Sequence, residues 1–219
     1  YHPIIKARLA EIAHELQKQH DFKWKHTHDT EPVLERDLAF RAGIGWFGKN
    51  SMMINRQHGS YFIIGSLILD RMLPLENAKT DTDHCGQCTL CIDACPTDAI
   101  DAATRTIKVQ QCISTWTIED RDDQTPPPKG LEEARGEIFG CDICQDVCPW
   151  NGKPLDKVQP FLGEKARKWL QFFSRDVGEI AVQLSWMTNR GFLRLTEGTV
   201  FARPGRPAFL RTLTFWMKR

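Results

Sequence analysis

Long hydrophobic runs are missing from this chain of 219 residues. None approaches the roughly 20 apolar residues that cross a bilayer, so no membrane partner is expected. A secretory leader is not visible either, and the expected location is cytoplasmic. The chain opens on Tyr1 and passes directly into a helical pattern, which reads as a piece whose own N-terminus lies upstream. Phosphate-binding glycine fingerprints are also lacking: residues 42–50 (AGIGWFGKN) hold three glycines without dinucleotide or P-loop spacing, although they allow something to approach the backbone closely. Wholesale disorder is excluded by 41% hydrophobic and 26% charged residues, a balance that builds one or two domains with real cores. There is no internal repeat beyond two runs of cysteine.

Those runs hold all eight cysteines: Cys85-x2-Cys88-x2-Cys91-x3-Cys95-Pro96, then a lone Cys112, then Cys141-x2-Cys144-x3-Cys148-Pro149. A 4Fe-4S cube needs four thiolates, and a loop with Cys at every third position wraps three of them around one cube. The fourth Cys of such a run reaches the other cube. The rule assigns Cys85, Cys88, Cys91 and Cys148 to one cluster and Cys95, Cys112, Cys141 and Cys144 to a second, with no remainder. Two zinc sites would also use eight thiolates, but zinc pairs are usually a dozen or more residues apart. Disulfides would need an oxidising compartment, and cysteines three apart in tight loops rarely reach bridging geometry.

Ile5, Leu9, Ile12 and Leu16 follow Pro3 at helical spacing and predict an amphipathic helix over residues 3–19. Residues 61–69 (YFIIGSLIL) predict a strand buried on both faces. A polar excursion containing Pro126, Pro127 and Pro128 predicts an exposed loop, and a short helix is expected after each Cys-Pro. Past Pro160 the chain should turn helical, with a sharp turn at residues 203–207 before a last helix. The net charge of +1 is unevenly spread. Residues 119–146 carry nine acidic against three basic side chains, whereas residues 164–219 carry eleven Lys/Arg against four Asp/Glu. Aromatics interleave with this basic tail. Most should be core, but the charge points to a polyanionic partner such as nucleic acid, with Arg190, Arg194, Arg203, Arg206 and Arg211 as candidate contacts.

A plain ferredoxin needs little beyond the cysteine runs, so residues 1–80 and the basic tail require another explanation. The stretches HDTEPVLER (28–36), GIGWFGKNS (43–51) and GSYF (59–62), followed by the cysteine runs, Cys112-Ile113-Ser114 and Cys148-Pro149-Trp150-Asn151, strongly resemble epoxyqueuosine reductases. These are cobalamin- and iron–sulfur-dependent enzymes of tRNA modification, related to reductive dehalogenases. The family normally carries about one hundred further residues ahead of this helix and often a helical-repeat extension behind. The resemblance implies an α+β fold: a partial nitroreductase-like cobalamin domain (1–80), a two-cluster ferredoxin-like domain (81–151) and the start of a basic helical region that binds tRNA (152–219). It implies Asp29 as the acid, flanked by an unusual pair of histidines, His26 and His28. Cobalamin contacts carry over to Asp29, Met53, Ile64, Ser114 and Asp142.

The implied reaction reduces epoxyqueuosine to queuosine at the tRNA wobble position. Clusters pass one electron at a time, so a two-electron cofactor fits, and a carboxylic acid in a dry pocket would have its pKa raised. A monomer is expected, fed by an external donor such as a flavodoxin or ferredoxin system. Asp81, Asp83, Asp93 and Asp98 are candidate docking charges for it. Lys49 could contact the corrin or cap a structural loop, Trp150 could cover a cluster, Glu31 reads as a helix-start acid and Glu35 as a structural charge. Two other classes stay open: a dehalogenase-like enzyme acting on a small molecule, and a decorated electron carrier.

Overall fold

The computed structural model describes residues 1–29, 31–74, 78–155 and 164–219. The first third holds α1 (His2–Gln17), β1 (Trp24–Thr27), α2 (Glu35–Arg41), β2 (Trp46–Phe47), β3 (Met53–Ile54) and β4 (Ser66–Leu69). Pro3 sits in the first turn of α1, where its missing N–H costs nothing. The buried face of α1 is Leu9 and Ala13, one turn apart, while Ile12 is exposed. Strand β4 pairs antiparallel with β1, Trp24 opposite Leu69 and Thr27 opposite Ser66. The strand expected over residues 61–69 is therefore shorter and one-sided: Ile63 and Ile68 are exposed. The sheet has two strands among the described residues, so only one face has a partner in α1.

The glycines of residues 43–48 have a local purpose. Strands β2 and β3 pair Trp46 with Ile54 and Phe47 with Met53. A Cβ on Gly45 would lie 1.9 Å from the Ile54 carbonyl oxygen, so the close approach is made by the chain's own next strand.

The cysteine segment contains α3 (Leu90–Asp93), β5 (Ile100–Asp101), β6 (Thr106–Ile107), a π-helical turn (Thr115–Glu119), α4 (Ile143–Asp146) and α5 (Pro149–Leu155). Pro149 opens α5 as expected. Cys95-Pro96 instead leads through a turn, with Asp98 at φ 51°, into the β5–β6 hairpin, so no helix follows it. Residues 121–127 are mostly exposed, the loop anticipated around the three prolines, though Pro128 is buried.

The last part is α6 (Glu164–Phe173), α7 (Val177–Trp186), α8 (Asn189–Thr196) and α9 (Gly205–Met217). The helical start anticipated just past Pro160 lies outside the described residues. Asp176 caps α7 by accepting from the Gly178 and Glu179 N–H groups, and Thr188 caps α8 by accepting from Gly191. Ile180, Ala181, Leu184, Phe192, Phe209 and Leu213 form the core of this bundle. Its far end is fused to the cysteine segment, where Phe215 and Trp216 pack on Ile113, Trp116 and Leu131. No helix among the described residues is long and apolar enough to cross a membrane.

Candidate functional site

All eight cysteines are free thiols, so the disulfide reading fails. They line two separate cavities. Cys85, Cys88, Cys91 and Cys148 surround the first, and Cys95, Cys112, Cys141 and Cys144 the second. Cys88 and Cys91 bracket the start of α3, and Cys144 rides on α4. The turn before Pro149 swings Cys148 away from its own run and toward the first. Burial pushes the Cys144 thiol up to about 12 and Cys141 up to about 11, with the neighbouring cysteines adding to both; Cys91 and Cys148 are raised for the same first reason. Such thiols ionise readily only against metal charge. In the second cavity the Ala99 N–H points at Cys95 Sγ at 3.4 Å, and Ile100, Ile107, Ile113 and Ile143 make the walls apolar.

The first cavity has a polar collar that sequence reasoning only partly foresaw. Lys49 Nζ donates to the carbonyls of Gly86 (2.8 Å) and Cys88 (2.9 Å), so it caps the cysteine loop. The next residue, Asn50, donates to the Cys144 carbonyl at 3.2 Å, so Lys49 and Asn50 together reach both runs. Trp150 lines the cavity and stands edge-on to Trp46 (centroids 4.9 Å apart), with His84 beside both. His84 carried no recognisable signal, and Trp46 entered only as part of the GIGWFGKNS stretch, because a tryptophan among glycines reads as core.

Asp29 lies in a turn after β1, at φ 62°, with its side chain 32% exposed. Its carboxylate accepts from the Tyr1 hydroxyl at 2.5 Å and lies 3.5 Å from His2 Nε2, while its N–H donates to Glu35 at 2.5 Å. Burial and the bond to Asp29 push the Tyr1 phenol up to about 12, and Arg203 acts in the opposite sense, which brings a tail arginine into this neighbourhood. Arg203 also pairs with Glu119 at 2.9 Å, on the π-helical turn that Ser114 begins. Helix α2 begins at Glu35, so Glu31 is not a helix-start acid; it accepts the His28 N–H at 3.0 Å instead.

Of the other anticipated contacts, Ile64 and Ser114 are half-buried and Asp142 is exposed. Asp142 is close enough to help raise Tyr61, the residue three before Ile64. Met53 is only 4% exposed and packed in its hairpin, so its side chain is closed off. In the tail, Arg211 is engaged internally: it stacks over Trp116 at 4.2 Å and donates to the carbonyls of Trp116 and Asp122. Arg206 donates to Asn189 and the Leu184 carbonyl, whereas Arg190 and Arg194 are exposed on α8. Two of the acidic candidates are also engaged, Asp81 with Arg56 and His84, and Asp83 with Arg105; Asp93 and Asp98 are exposed.

These features define an iron–sulfur protein of mixed helix and strand. Residues 84–151 match the family model of the 4Fe-4S double cluster binding domain. Along 97% of its length the chain is similar to epoxyqueuosine reductases, as its motifs had indicated: it is 38% identical to the enzyme of Pseudomonas aeruginosa over 215 residues. The solved structure of epoxyqueuosine reductase from Streptococcus thermophilus superposes with a TM-score of 0.73 at 27% identity, covering 97% of this chain and 53% of that one. A crystal structure of epoxyqueuosine reductase with a tRNA-Tyr epoxyqueuosine-modified stem loop gives 0.71 at 28%, with the same coverage. The chain spans about half the length of the relatives it matches, 56% of the Pseudomonas protein.

Proposed function

We propose that this chain is the cluster-bearing part of an epoxyqueuosine reductase, which reduces epoxyqueuosine to queuosine in the tRNA anticodon loop with two 4Fe-4S clusters and cobalamin. The observation that carries this reading is similarity running through 97% of the chain to a reductase solved with its modified stem loop. The segregation of eight thiols into two fours supports two cubes, with Cys85, Cys88, Cys91 and Cys148 on one and Cys95, Cys112, Cys141 and Cys144 on the other. For cobalamin, the accessible Asp29, Ile64, Ser114 and Asp142 are a mixture suited to an apolar ring fringed with amides. Met53 would contribute backbone only.

Cobalamin, when bound, supplies the two-electron chemistry that single-electron clusters lack. The chain's own residues manage protons and position. Two electrons and two protons convert the epoxide to an alkene and water, and Asp29, with its side chain 32% exposed, is the proposed proton donor. Tyr1 and the backbone bond to Glu35 hold its turn, so the acid meets the departing oxygen from a fixed position. The wobble base is splayed out of its loop, and Arg190, Arg194 and Arg203 are suited to the flanking phosphates. An external flavodoxin- or ferredoxin-type donor would meet the acidic side near Asp93 and Asp98.

The test is the EPR spectrum of cob(II)alamin added to the anaerobically reconstituted protein, followed by mass spectrometry of tRNA nucleosides after turnover. A protein-bound cobalt signal with loss of epoxyqueuosine supports the reading. Intact clusters with cobalamin left free would turn the assignment to an electron carrier.

A further inference from the structure

We propose that His26, His28 and Glu31 form a binding site for one zinc-class divalent transition-metal ion, separate from the eight thiols. His26 and His28 are two apart on and just beyond β1, so strand alternation puts both rings on one face. The turn at Asp29, with its positive φ, then folds the chain back and brings Glu31 alongside. One ligand atom from each of the three lies within 4.8 Å of the others. Donors around a tetrahedral ion at about 2.0–2.1 Å sit about 3.3 Å apart, so an ion would draw the three side chains inward without rebuilding the strand.

A second observation points to a ligand. Nδ1 of His26 and Nδ1 of His28 are both buried and have no hydrogen-bond partner among the described residues. His28 is only 6% exposed, so water does not readily serve it. Buried imidazole nitrogens are ordinarily satisfied, and two orphaned together on one strand face, with centroids 5.3 Å apart, are what a metal-ready pair looks like. Glu31 is held for the same task, its carboxylate oriented by the His28 N–H.

Two imidazoles and one carboxylate select against magnesium and calcium, which prefer all-oxygen shells, and suit zinc, cobalt(II) or nickel(II). Three protein ligands leave a fourth position open. Because His28 and Glu31 flank Asp29, occupancy would fix the backbone on both sides of that residue.

The experiment titrates cobalt(II), then zinc as competitor, into the cluster-loaded protein, whose thiols are already occupied, while cluster absorbance and iron content are followed. The expected result is one cobalt per chain with ligand-field bands of a tetrahedral nitrogen–oxygen site, no thiolate-to-cobalt charge transfer, and displacement by zinc. H28Q should abolish the bands, and E31Q should weaken cobalt binding at least about tenfold. If H28Q does not fold, H26Q and E31Q decide. No stoichiometric binding, bands with thiolate character, or binding indifferent to the histidine and Glu31 substitutions would overturn the site.

Discussion

Asn151 is 1% exposed and uses its whole amide: Oδ1 accepts the Ser60 N–H at 2.7 Å, and Nδ2 donates to Ser60 Oγ and the Gln145 carbonyl. Gly59 lets this happen, since a Cβ there would sit 2.1 Å from Asn151 Oδ1. One side chain thus fastens the first third of the molecule to the second cysteine run. Asn151→Ala leaves the buried Ser60 N–H unpaired, while the Ser60 hydroxyl keeps its bond to Gln145 Oε1 at 2.8 Å, and should cost about 1–3 kcal/mol in chemical denaturation. Nearby, Tyr61 donates to Asp146 at 2.6 Å and Arg135 to its other oxygen at 2.7 Å. The tyrosine bond first, then the arginine, hold Asp146 below the ordinary carboxylate range. A depressed carboxylate stabilises the fold above its unfolded value, near about 3.9, and that stabilisation is lost as pH falls through the folded value. Tyr61→Phe removes the largest cause. The stability gap between the iron-free native chain and this variant should therefore be full at about pH 5 and close as pH drops below about 3.9. A gap constant over that range would assign the tyrosine's effect to packing alone. At Asp29, under the proposed reduction, Asp29→Asn should lower turnover about 100-fold or more with iron content and tRNA affinity unchanged.

At the scale of elements, what the sequence reveals depends on how local the cause is. Helix α1 and the turn before α9 follow from Pro3 and Pro204, whose effects act within one turn, whereas the Asp176 cap of α7 was not read from the sequence. The apolar run at 61–69 was misleading because burial on two faces requires neighbours that periodicity does not specify; only Ser66–Leu69 pairs, and with a strand some forty residues earlier. Cys-Pro likewise opens a helix at Pro149 but not at Pro96, where Asp98 takes a left-handed turn into a hairpin. Eight cysteines at fixed spacing were fully legible, whereas the Lys49, Asn50 and Trp46 collar is made by packing across distant segments. The crossed thiol sets make a sharp prediction. Cys148→Ala and Cys85→Ala should each remove the same cluster, and Cys95→Ala the other, with iron content falling by about half in every case and EPR identifying which signal disappears. If Cys148→Ala and Cys144→Ala removed the same signal, the crossing would be wrong.

At the scale of the whole molecule, the basic tail is less a separate arm than a bundle whose last helix is built into the cysteine segment. Trp216 Nε1 donates to the Glu137 carbonyl at 3.1 Å, and Arg211 holds the acidic loop at residues 116–122. The charge excess read from composition is therefore of two kinds. Arg211 is structural, and replacing it should lower stability without changing the salt dependence of the proposed RNA binding. Arg190 and Arg194 lie one turn apart on α8, exposed, close in sequence to Trp186, which is 87% exposed where the other aromatics of the tail are buried or half-buried. An exposed indole at the end of α7 and two exposed guanidinium groups on the next helix supply, under the proposed function, the chemistry for base stacking and phosphate binding. Replacing both arginines with alanine should reduce the slope of log K against log salt by about 1.4 for a single-stranded anticodon loop, at about 0.7 for each phosphate that is no longer neutralised. Trp186→Ala should weaken binding by about 1–3 kcal/mol with the slope unchanged. Measured by fluorescence anisotropy over a salt series, slopes unaffected by the double arginine variant would remove α8 from the proposed RNA interface and turn the test to Arg203, whose charge reaches Tyr1.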